Sequence, residues 1–239
     1  LNPNPRYTDS YFIETGNPAL QPDFTNAYEL NYQKRFQKSF LSTEFYYRQT
    51  TNPIYRTLTI KDDRMLMTSE NLDNMYSAGL EISGNIGLLK WWKINASANA
   101  YYTSLKGKIE DDFELSESTF TGNGRFTNTF SFKTQTYFQF IAVYYAPGVN
   151  PQGESDHFYY FDFILKQYFF NRKLSLTART HNTFNTGKYI YTTNAKDFIS
   201  DSFYLYEGPV FIFSLSYRIN NYKLKRRSSI EHDFDSGMD

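Results

Sequence analysis

The feature that most constrains this fold is a series of segments in which every second residue is apolar. In residues 74–86, for example, Leu80 and Ile82 alternate with Glu81 and Ser83. Neighbouring side chains of a β-strand point to opposite faces, so this alternation predicts strands with one apolar and one polar face. The pattern predicts nine strands, at residues 24–36, 39–50, 74–86, 91–104, 122–132, 136–146, 158–169, 173–184 and 208–219.

No stretch of the sequence is suited to crossing a membrane as a helix. The longest uninterrupted apolar run, Phe140 to Ala146, has seven residues, whereas a membrane-spanning helix needs about 20. A membrane-spanning β-strand needs only about 9 to 11 residues, and its side chains alternate between lipid and lumen. The predicted strands have this length and this alternation, so a polar average composition is compatible with a transmembrane barrel.

The connections between the predicted strands alternate in length. Short turns are predicted near residues 37–38, 87–90, 133–135 and 170–172, and longer polar loops at 51–73, 105–121, 147–157 and 185–207. Short connections on one side and long ones on the other are typical of outer-membrane barrels, in which the short turns are periplasmic. We therefore predict that the long loops are extracellular.

Aromatic residues make up 20% of the chain, with 22 Tyr and 23 Phe, which is more than a typical globular domain contains. Many occur as pairs at strand ends: Tyr46-Tyr47, Trp91-Trp92, Tyr101-Tyr102, Tyr144-Tyr145, Tyr159-Tyr160 and Phe169-Phe170. Transmembrane barrels carry aromatic girdles at both water interfaces. A soluble β-sandwich, the alternative fold, accounts poorly for these pairs. The sequence therefore predicts an all-β fold, a transmembrane antiparallel up-and-down β-barrel.

The predicted strand count indicates that more barrel exists than this chain supplies. Bacterial single-chain barrels normally have an even number of strands and both termini in the periplasm. The first and last of nine strands would also expose unpaired backbone groups to hydrocarbon, which is costly. We expect upstream strands in a longer polypeptide or, alternatively, a second chain. Residues 1–23 are predicted as an extracellular loop entering the barrel, 24–219 as C-terminal barrel strands and 220–239 as a periplasmic polar tail.

Three segments resemble TonB-dependent transporters and a related outer-membrane β-barrel family. The segment Gly16-Asn17-Pro18-Ala19-Leu20-Gln21-Pro22-Asp23, followed by Tyr28-Glu29-Leu30, resembles the pattern GNPxLxPE before a strand. The closing Phe213-Ser214-Leu215-Ser216-Tyr217-Arg218 looks like the end of the related barrel family. Phe184-Asn185-Thr186 is similar to its D-x-F-N-T site, although Asn182 stands where Asp is usual. The resemblance covers essentially the whole chain, but only the back part of such a protein.

This resemblance implies part of a barrel of about 22 strands that is closed by an amino-terminal plug. In that family a periplasmic TonB protein pulls on the plug to admit bound substrate, so the implied function is energy-dependent import of an unidentified ligand. The alternative is a barrel that serves as a structural or assembly component of an envelope complex. The implied partners are outer-membrane lipid, the remaining strands and plug of the same protein, TonB through the plug, and surface lipoproteins or other envelope proteins.

The sequence contains little that suggests catalysis or a cofactor. It has no Cys, which excludes disulfides and thiolate sites. Lys plus Arg equals Asp plus Glu at 25 each, so no strong field recruits nucleic acid. No nucleophile and base are arranged as in known motifs, and no Gly-rich phosphate loop is present. We predict that the chain is not an enzyme and has no catalytic, cofactor-binding or metal-binding residues.

The remaining polar and aromatic candidates are weaker, and the ligand-binding residues stay unidentified. The scattered His157, His181 and His232 are expected in loops or the lumen rather than at a metal. Acidic segments are expected to be solvated rather than to bind calcium, namely Glu110-Asp111-Asp112, Glu154-Ser155-Asp156-His157 and Asp233-Phe234-Asp235-Ser236-Gly237. Loop aromatics that could contact a ligand are Tyr55, Tyr189 and Tyr191. Charged residues expected to face the lumen are Glu44, Arg48, Glu81, Asp162, Lys166, Arg179 and Arg218.

Overall fold

The computed structural model describes residues 4–109 and 113–219. Their backbone forms the strands β1 (Arg6–Tyr7), β2 (Phe12–Glu14), β3 (Phe24–Arg35), β4 (Phe40–Thr51), β5 (Ile54–Lys61), β6 (Arg64–Asn71), β7 (Asn74–Leu89), β8 (Trp92–Ile109), β9 (Phe113–Ser131), β10 (Thr136–Tyr145), β11 (Gly148–Asn150), β12 (Gly153–Ser155), β13 (Phe158–Phe169), β14 (Leu174–His181), β15 (Lys188–Asn194), β16 (Ile199–Leu205) and β17 (Val210–Tyr217). Within these ranges, no helix is long and apolar enough to span a membrane. The acidic run 110–112, His232, the segment 233–237 and the predicted tail 220–239 lie outside the described residues.

Nine strands form one antiparallel sheet in the order β17-β14-β13-β10-β9-β8-β7-β4-β3. Each strand that the alternation predicts overlaps one strand of this main sheet. Short turns connect β3 to β4, β7 to β8, β9 to β10 and β13 to β14 at one edge of the molecule, the short-turn end; the opposite edge is the hairpin end. The sheet is open: among the described strands, β3 and β17 each have a partner on one side only.

The long connections that the sequence predicts contain strands of their own in the structure. Residues 51–73 contain β5 and β6, 147–157 contain β11 and β12, and 185–207 contain β15 and β16. Residues 105–121 continue β8 and β9, whose register runs as far as Ile109 opposite Phe113. The predicted loop 1–23 likewise contains β1 and β2.

Two small sheets occupy the hairpin end, in the orders β1-β2-β6-β5 and β11-β12-β15-β16. The Gln152 side chain joins them: its Oε1 accepts the Leu58 N–H at 2.7 Å, and its Nε2 donates to the Leu58 carbonyl at 2.9 Å. At the same end, Leu72, Leu105 and Leu115 form a buried hydrophobic cluster, and Tyr55, Met75 and Val149 pack against it. The long hairpins are therefore packed against one another, and among the described residues they hold a cluster of buried leucines.

The main sheet has one apolar and one polar face. A row across six adjacent strands of the apolar face consists of Leu41, Gly84, Ala96, Phe126, Ala142 and Phe161. Large side chains of this face are exposed, as for Leu30 at 69% and Phe213 at 73%. A row of the polar face consists of Glu44, Glu81, Asn99, Asn123, Tyr145 and Phe158. An apolar surface of this extent is incompatible with exposure to water and marks a lipid or protein interface.

Aromatic rings collect on the apolar face near the short-turn end. Trp92 stacks on Phe130 with 5.7 Å between ring centroids, and Phe130 stacks on Phe138 at 6.0 Å. The indole Nε1 of Trp92 donates to Asn128 Oδ1 at 3.0 Å, so its polar group is satisfied on this apolar surface. A ring belt with satisfied polar tips is the arrangement expected at a membrane–water interface.

The tyrosine pairs at strand ends do not all lie in such a belt. Because adjacent residues of a strand face opposite ways, one member of each pair lies on the apolar face and the other on the polar face. The register places Tyr46, Tyr101, Tyr145 and Tyr160 on the polar face. The girdle interpretation therefore does not apply to half of these tyrosines, because their rings lie on the polar face of the main sheet.

Candidate functional site

The charged residues expected to face the lumen share the polar face of the main sheet. The register places six of them on that face: Glu44, Arg48, Glu81, Asp162, Lys166 and Arg179. Arg218 directly follows β17, where its backbone N–H donates to the Lys173 carbonyl at 2.7 Å. Two clusters hold most of these charges, one around Asp162 and the other around Arg48, whereas Lys166 lies over the Tyr168 ring with its Nζ 4.8 Å from the centroid.

The first cluster is built on the buried carboxylate of Asp162, which is 2% exposed. Arg179 Nη2 donates to its Oδ2 at 2.8 Å, and His181 Nδ1 contacts its Oδ1 at 2.8 Å. The backbone N–H of Asn182 also donates to Oδ1, at 3.1 Å. An ionised carboxylate only accepts hydrogen bonds, so His181 donates from Nδ1. A buried charge with three donors is well satisfied.

The turn that follows carries the segment similar to the D-x-F-N-T site. The fully buried Asn182 donates from Nδ2 to the Tyr206 carbonyl at 2.8 Å and accepts the Gly187 N–H on Oδ1 at 3.0 Å. Asn182 and Asn185 have φ of 48° and 54°, a left-handed conformation that Asn tolerates better than most residues. The turn therefore ties both ends of the β15–β16 hairpin to the Asp162 cluster.

The second cluster surrounds Arg48, whose Nη2 lies 2.8 Å from Glu29 Oε1 and 3.8 Å from Glu44 Oε1. Its guanidinium also covers the Tyr46 ring at 4.6 Å. Glu44 lies directly opposite Glu81 on the neighbouring strand. Like charges at such positions repel each other. This region therefore holds the carboxylates of Glu29, Glu44 and Glu81 but a single guanidinium, and this excess of negative charge favours the binding of a further cation.

Tyr46 crosses the polar face above Gly79 and donates to Asn99 Oδ1 at 3.1 Å. A Cβ at Gly79 would lie 2.6 Å from both the Tyr46 Cζ and the Tyr101 Cβ. We expect Gly79→Ala to displace Tyr46, break its hydrogen bond and lower the free energy of unfolding by about 1–3 kcal/mol. Urea-induced unfolding of the protein in detergent micelles measures this.

The matched control for that substitution is Gly124→Ala on the adjoining part of the sheet. A Cβ there would meet Ser97 O at 3.4 Å and Ala98 Cβ at 4.0 Å, which are ordinary contacts. Gly124→Ala should leave stability unchanged or raise it slightly, since glycine weakens a strand interior. An equal loss in both variants would contradict the argument from the Tyr46 contact.

A polar, aromatic cavity of about 430 Å³ lies where the main sheet meets the β11-β12-β15-β16 sheet. Its volume falls in the range of small-molecule sites. Ring side chains supply much of the lining, with amides, hydroxyls and one carboxylate between them. The residues concerned are Tyr101, Thr121, Asn123, Tyr145, Asn150, Ser155, Asp156, Phe158, Tyr189 and Tyr206. We call this cavity the aromatic pocket.

Phe158 is the centre of the ring arrangement in the aromatic pocket. Its centroid lies 5.1 Å from that of Tyr206, 6.0 Å from Tyr145 and 6.5 Å from Tyr189. The planes meet Phe158 at 50°, 44° and 71° respectively, so the rings enclose space rather than stack on one another. Such ring pairs stabilise each other by about 0.5–1.5 kcal/mol each, which holds the pocket in shape.

The polar groups at the aromatic pocket are mostly uncharged. Asp156 Oδ1 accepts the backbone N–H of His157 at 2.6 Å and lies 2.8 Å from His157 Nδ1. The hydrogen bond from the His157 backbone is the main reason why the pKa of Asp156 lies below its ordinary value. Burial raises the pKa of nearby Tyr191, although a hydrogen bond with Asn150 opposes the shift. Tyrosine hydroxyls and side-chain amides, which supply most of the polar lining, are uncharged groups that both donate and accept hydrogen bonds.

The structure separates the three loop tyrosines that the sequence offered as ligand contacts. Tyr189 lines the aromatic pocket. Tyr55 instead packs against the leucine cluster, with its hydroxyl 3.2 Å from Met75 Sδ, and burial raises its pKa. Tyr191 supports the pocket through Asn150 without lining it. In the part of the chain that the structure describes, no group of three or more His, Cys, Asp or Glu side chains is arranged to hold a metal ion.

Sequence reasoning did not assign Tyr145, Phe158 or Tyr206 to a site. The Tyr144-Tyr145 pair predicts two girdle residues, yet strand alternation puts the two rings on opposite faces. That alternation alone places Tyr145 on the polar face of the sheet. Tyr206 could not have been found in this way, because its position depends on the buried Asn182.

A larger hollow of about 740 Å³ lies on the apolar face. Ile82, Gly84, Ala96, Phe126 and Ala142 line it, so small residues form its floor and larger ones its sides. A specific ligand site also needs polar groups that fix orientation. The hollow is therefore a feature of the apolar surface, and the aromatic pocket is the better candidate site.

Comparison with known proteins agrees with this architecture. The model of the outer membrane protein beta-barrel family matches residues 1–217. Among solved structures, the copper transporter OprC superposes with a TM-score of 0.59 at 16% sequence identity. The match covers 83% of this chain and 31% of that one, so this chain spans less than a third of the transporter's length. No curated protein matches the sequence.

Proposed function

We propose that this chain, which belongs to the outer membrane protein beta-barrel family, forms part of the barrel wall of an energy-dependent importer of the TonB-dependent type. The observation that carries the proposal is the two-faced nine-stranded sheet, apolar on one side and charged on the other. A lipid-facing surface combined with a polar lumen is the arrangement of a transmembrane barrel. The folded hairpin end and the aromatic pocket supply a place where a ligand is bound.

In this proposal the apolar face contacts outer-membrane lipid and the polar face lines the lumen. The short turns are periplasmic and the hairpin end is extracellular, as in other barrels of this class. Residues 1–23 lead into the barrel from the extracellular side, and 220–239 extend into the periplasm. The hollow of the apolar face is filled by lipid chains.

The open edges of the sheet require further strands. β3 and β17 each present one unpaired edge among the described residues, and hydrocarbon does not tolerate unpaired backbone groups. We propose that strands of the same polypeptide close the barrel, to about 22 in total. A second chain supplying them is the alternative.

The Arg48 cluster supports a plug inside the lumen. Glu44 and Glu81 face each other across neighbouring strands, and Arg48 is closer to Glu29 than to Glu44. A basic side chain from a plug would offset the repulsion between the two carboxylates. Energy from the inner membrane, transmitted by TonB, would then act on a plug that is held to this wall.

A barrel that serves as a structural or assembly component is the second candidate function. The observation in its favour is the outer edge of the β11-β12-β15-β16 sheet, where β16 has a strand partner on one side only among the described strands. Ile199, Phe203 and Leu205 lie on one face of β16, together with Asp201, and are each 64% exposed or more. An exposed apolar edge strand is suited to pairing with another envelope protein.

Cross-linking from the lumen distinguishes the two functions, and because these 239 residues contain no Cys, an introduced Cys is the one reactive thiol of this segment. We expect a benzophenone maleimide on Ser97→Cys, on the polar face, to cross-link to a plug segment of the same polypeptide. The cross-link yield should change when a protonophore removes the energy source. The matched control is Ala98→Cys on the apolar face, which should not react with a plug. Cross-links only to other envelope proteins, or none, would overturn the importer proposal.

A further inference from the structure

We infer that the aromatic pocket binds a neutral carbohydrate, so that the imported ligand is a glycan or carries one. The inference rests on the proposed function, because it names the substrate class of the same barrel. Its basis is the combination of ring faces with uncharged hydrogen-bonding groups in one cavity of about 430 Å³.

The rings present flat apolar surfaces at the inner side of the cavity. Tyr145, Tyr189 and Tyr206 surround Phe158 at angles of 44° to 71°, which leaves their faces available instead of covered by one another. Tyr145 and Tyr206 are about half exposed, at 49% and 53%. A pyranose has an apolar C–H face that packs on an aromatic ring, whose π-face carries partial negative charge.

The groups between the rings match the hydroxyls of a sugar. Asn123 and Asn150 each offer a carbonyl acceptor and an NH₂ donor, and each tyrosine hydroxyl both donates and accepts. Sugar hydroxyls also donate and accept, so every one of them can be paired on such a surface. Ser155 adds a hydroxyl at the same edge, although it already donates to the Gly148 carbonyl at 3.4 Å.

The charges argue against ligands of other classes. Among the described residues that line the aromatic pocket, none is Lys, Arg or His, so an anionic chelate would find no cation there. Asp156 is the one carboxylate in this lining, and His157 already occupies its Oδ1 through two contacts. A cationic ligand would therefore meet a carboxylate that has a partner. A neutral polyhydroxylated ligand needs no charged partner, so this charge distribution does not weaken its binding.

The test is the binding of the purified protein, in detergent micelles, to an array of immobilised neutral, anionic and amino oligosaccharides. We expect neutral oligosaccharides to bind, and Tyr145→Ala to weaken that binding about tenfold, because it removes one ring face. The matched control is Tyr144→Ala: this neighbouring ring is 48% exposed but belongs to the apolar face. It should bind as the unmodified protein does.

A further variant keeps the test decisive if Tyr145→Ala folds poorly. Tyr145→Phe retains the ring and removes only the hydroxyl, so it should weaken binding less than Tyr145→Ala does. Binding restricted to anionic or amino oligosaccharides, no binding to any, or equal losses in Tyr144→Ala and Tyr145→Ala would overturn the inference. Binding needs no energy source and no plug, so its outcome is independent of the lumenal cross-link that tests the importer proposal.

Discussion

Ala96→Arg is expected to reduce strongly the amount of folded protein in the outer membrane. Ala96 lies in the middle of the apolar row, between Gly84 and Phe126 on the neighbouring strands. An arginine on the lipid face near the bilayer midplane costs about 2–4 kcal/mol. A loss of that size removes a large part of the stability of a typical domain. The measurement is the fraction of outer-membrane protein that resists protease and runs as the folded form on unheated SDS gels.

Asn95→Arg provides the control for this substitution. Asn95 precedes Ala96 on the same strand, is exposed, and faces the neutral Asn85 and Thr127 on the polar side. The same charge at this position should leave the folded fraction nearly unchanged, because water fills or borders the lumen. Equal losses in the two variants would contradict the assignment of the faces. Normal amounts of Ala96→Arg would contradict contact between this face and lipid.

The nine strands of the main sheet could be predicted because their signal is local. To predict such a strand, it is enough that neighbouring residues differ in polarity, as Leu80 and Glu81 do. The same pattern is expected in every strand that has one face in lipid. The total number of strands stays a prediction, since the sheet is open at β3 and β17. The presence of a plug and the extracellular position of the hairpins also stay predictions.

The hairpins that replace the predicted loops could not be recognised by the same rule. Strands such as β15 and β16 lie outside an apolar layer, so their two faces do not differ consistently in polarity. They are held by backbone pairing and by distant contacts such as that between Gln152 and Leu58. The aromatic pocket depends on them too, because Tyr189 and Tyr206 reach Phe158 only when β15 and β16 return to the main sheet.

We expect Asp162→Ala to be the most destabilising substitution on the polar face. It removes the acceptor of Arg179, His181 and the backbone of Asn182 at once, and leaves a partly buried guanidinium without its partner. The Arg179 side chain is 42% exposed, so water replaces its partner, and the main loss is three hydrogen bonds to a buried carboxylate, about 3 kcal/mol in all. The free energy of unfolding in urea, measured in detergent micelles, should fall by this amount. An exposed carboxylate, Asp201, which contacts Thr192 at 2.7 Å, serves as the control, and its alanine variant should lose less than about 1 kcal/mol.

A double-mutant cycle with Arg179→Ala separates the ion pair from the rest of the network. If the pair carries the effect, the double variant should be less destabilised than the sum of the single variants, by about 1–3 kcal/mol. The same change should also loosen the β15–β16 hairpin, since Asn182 holds the Tyr206 carbonyl and the Gly187 N–H next to Asp162. Limited proteolysis should then cut between residues 187 and 206 before any other described segment of Asp162→Ala. Additive losses together with unchanged cleavage would mean that Asp162 stabilises the sheet without positioning the hairpin that carries Tyr189 and Tyr206.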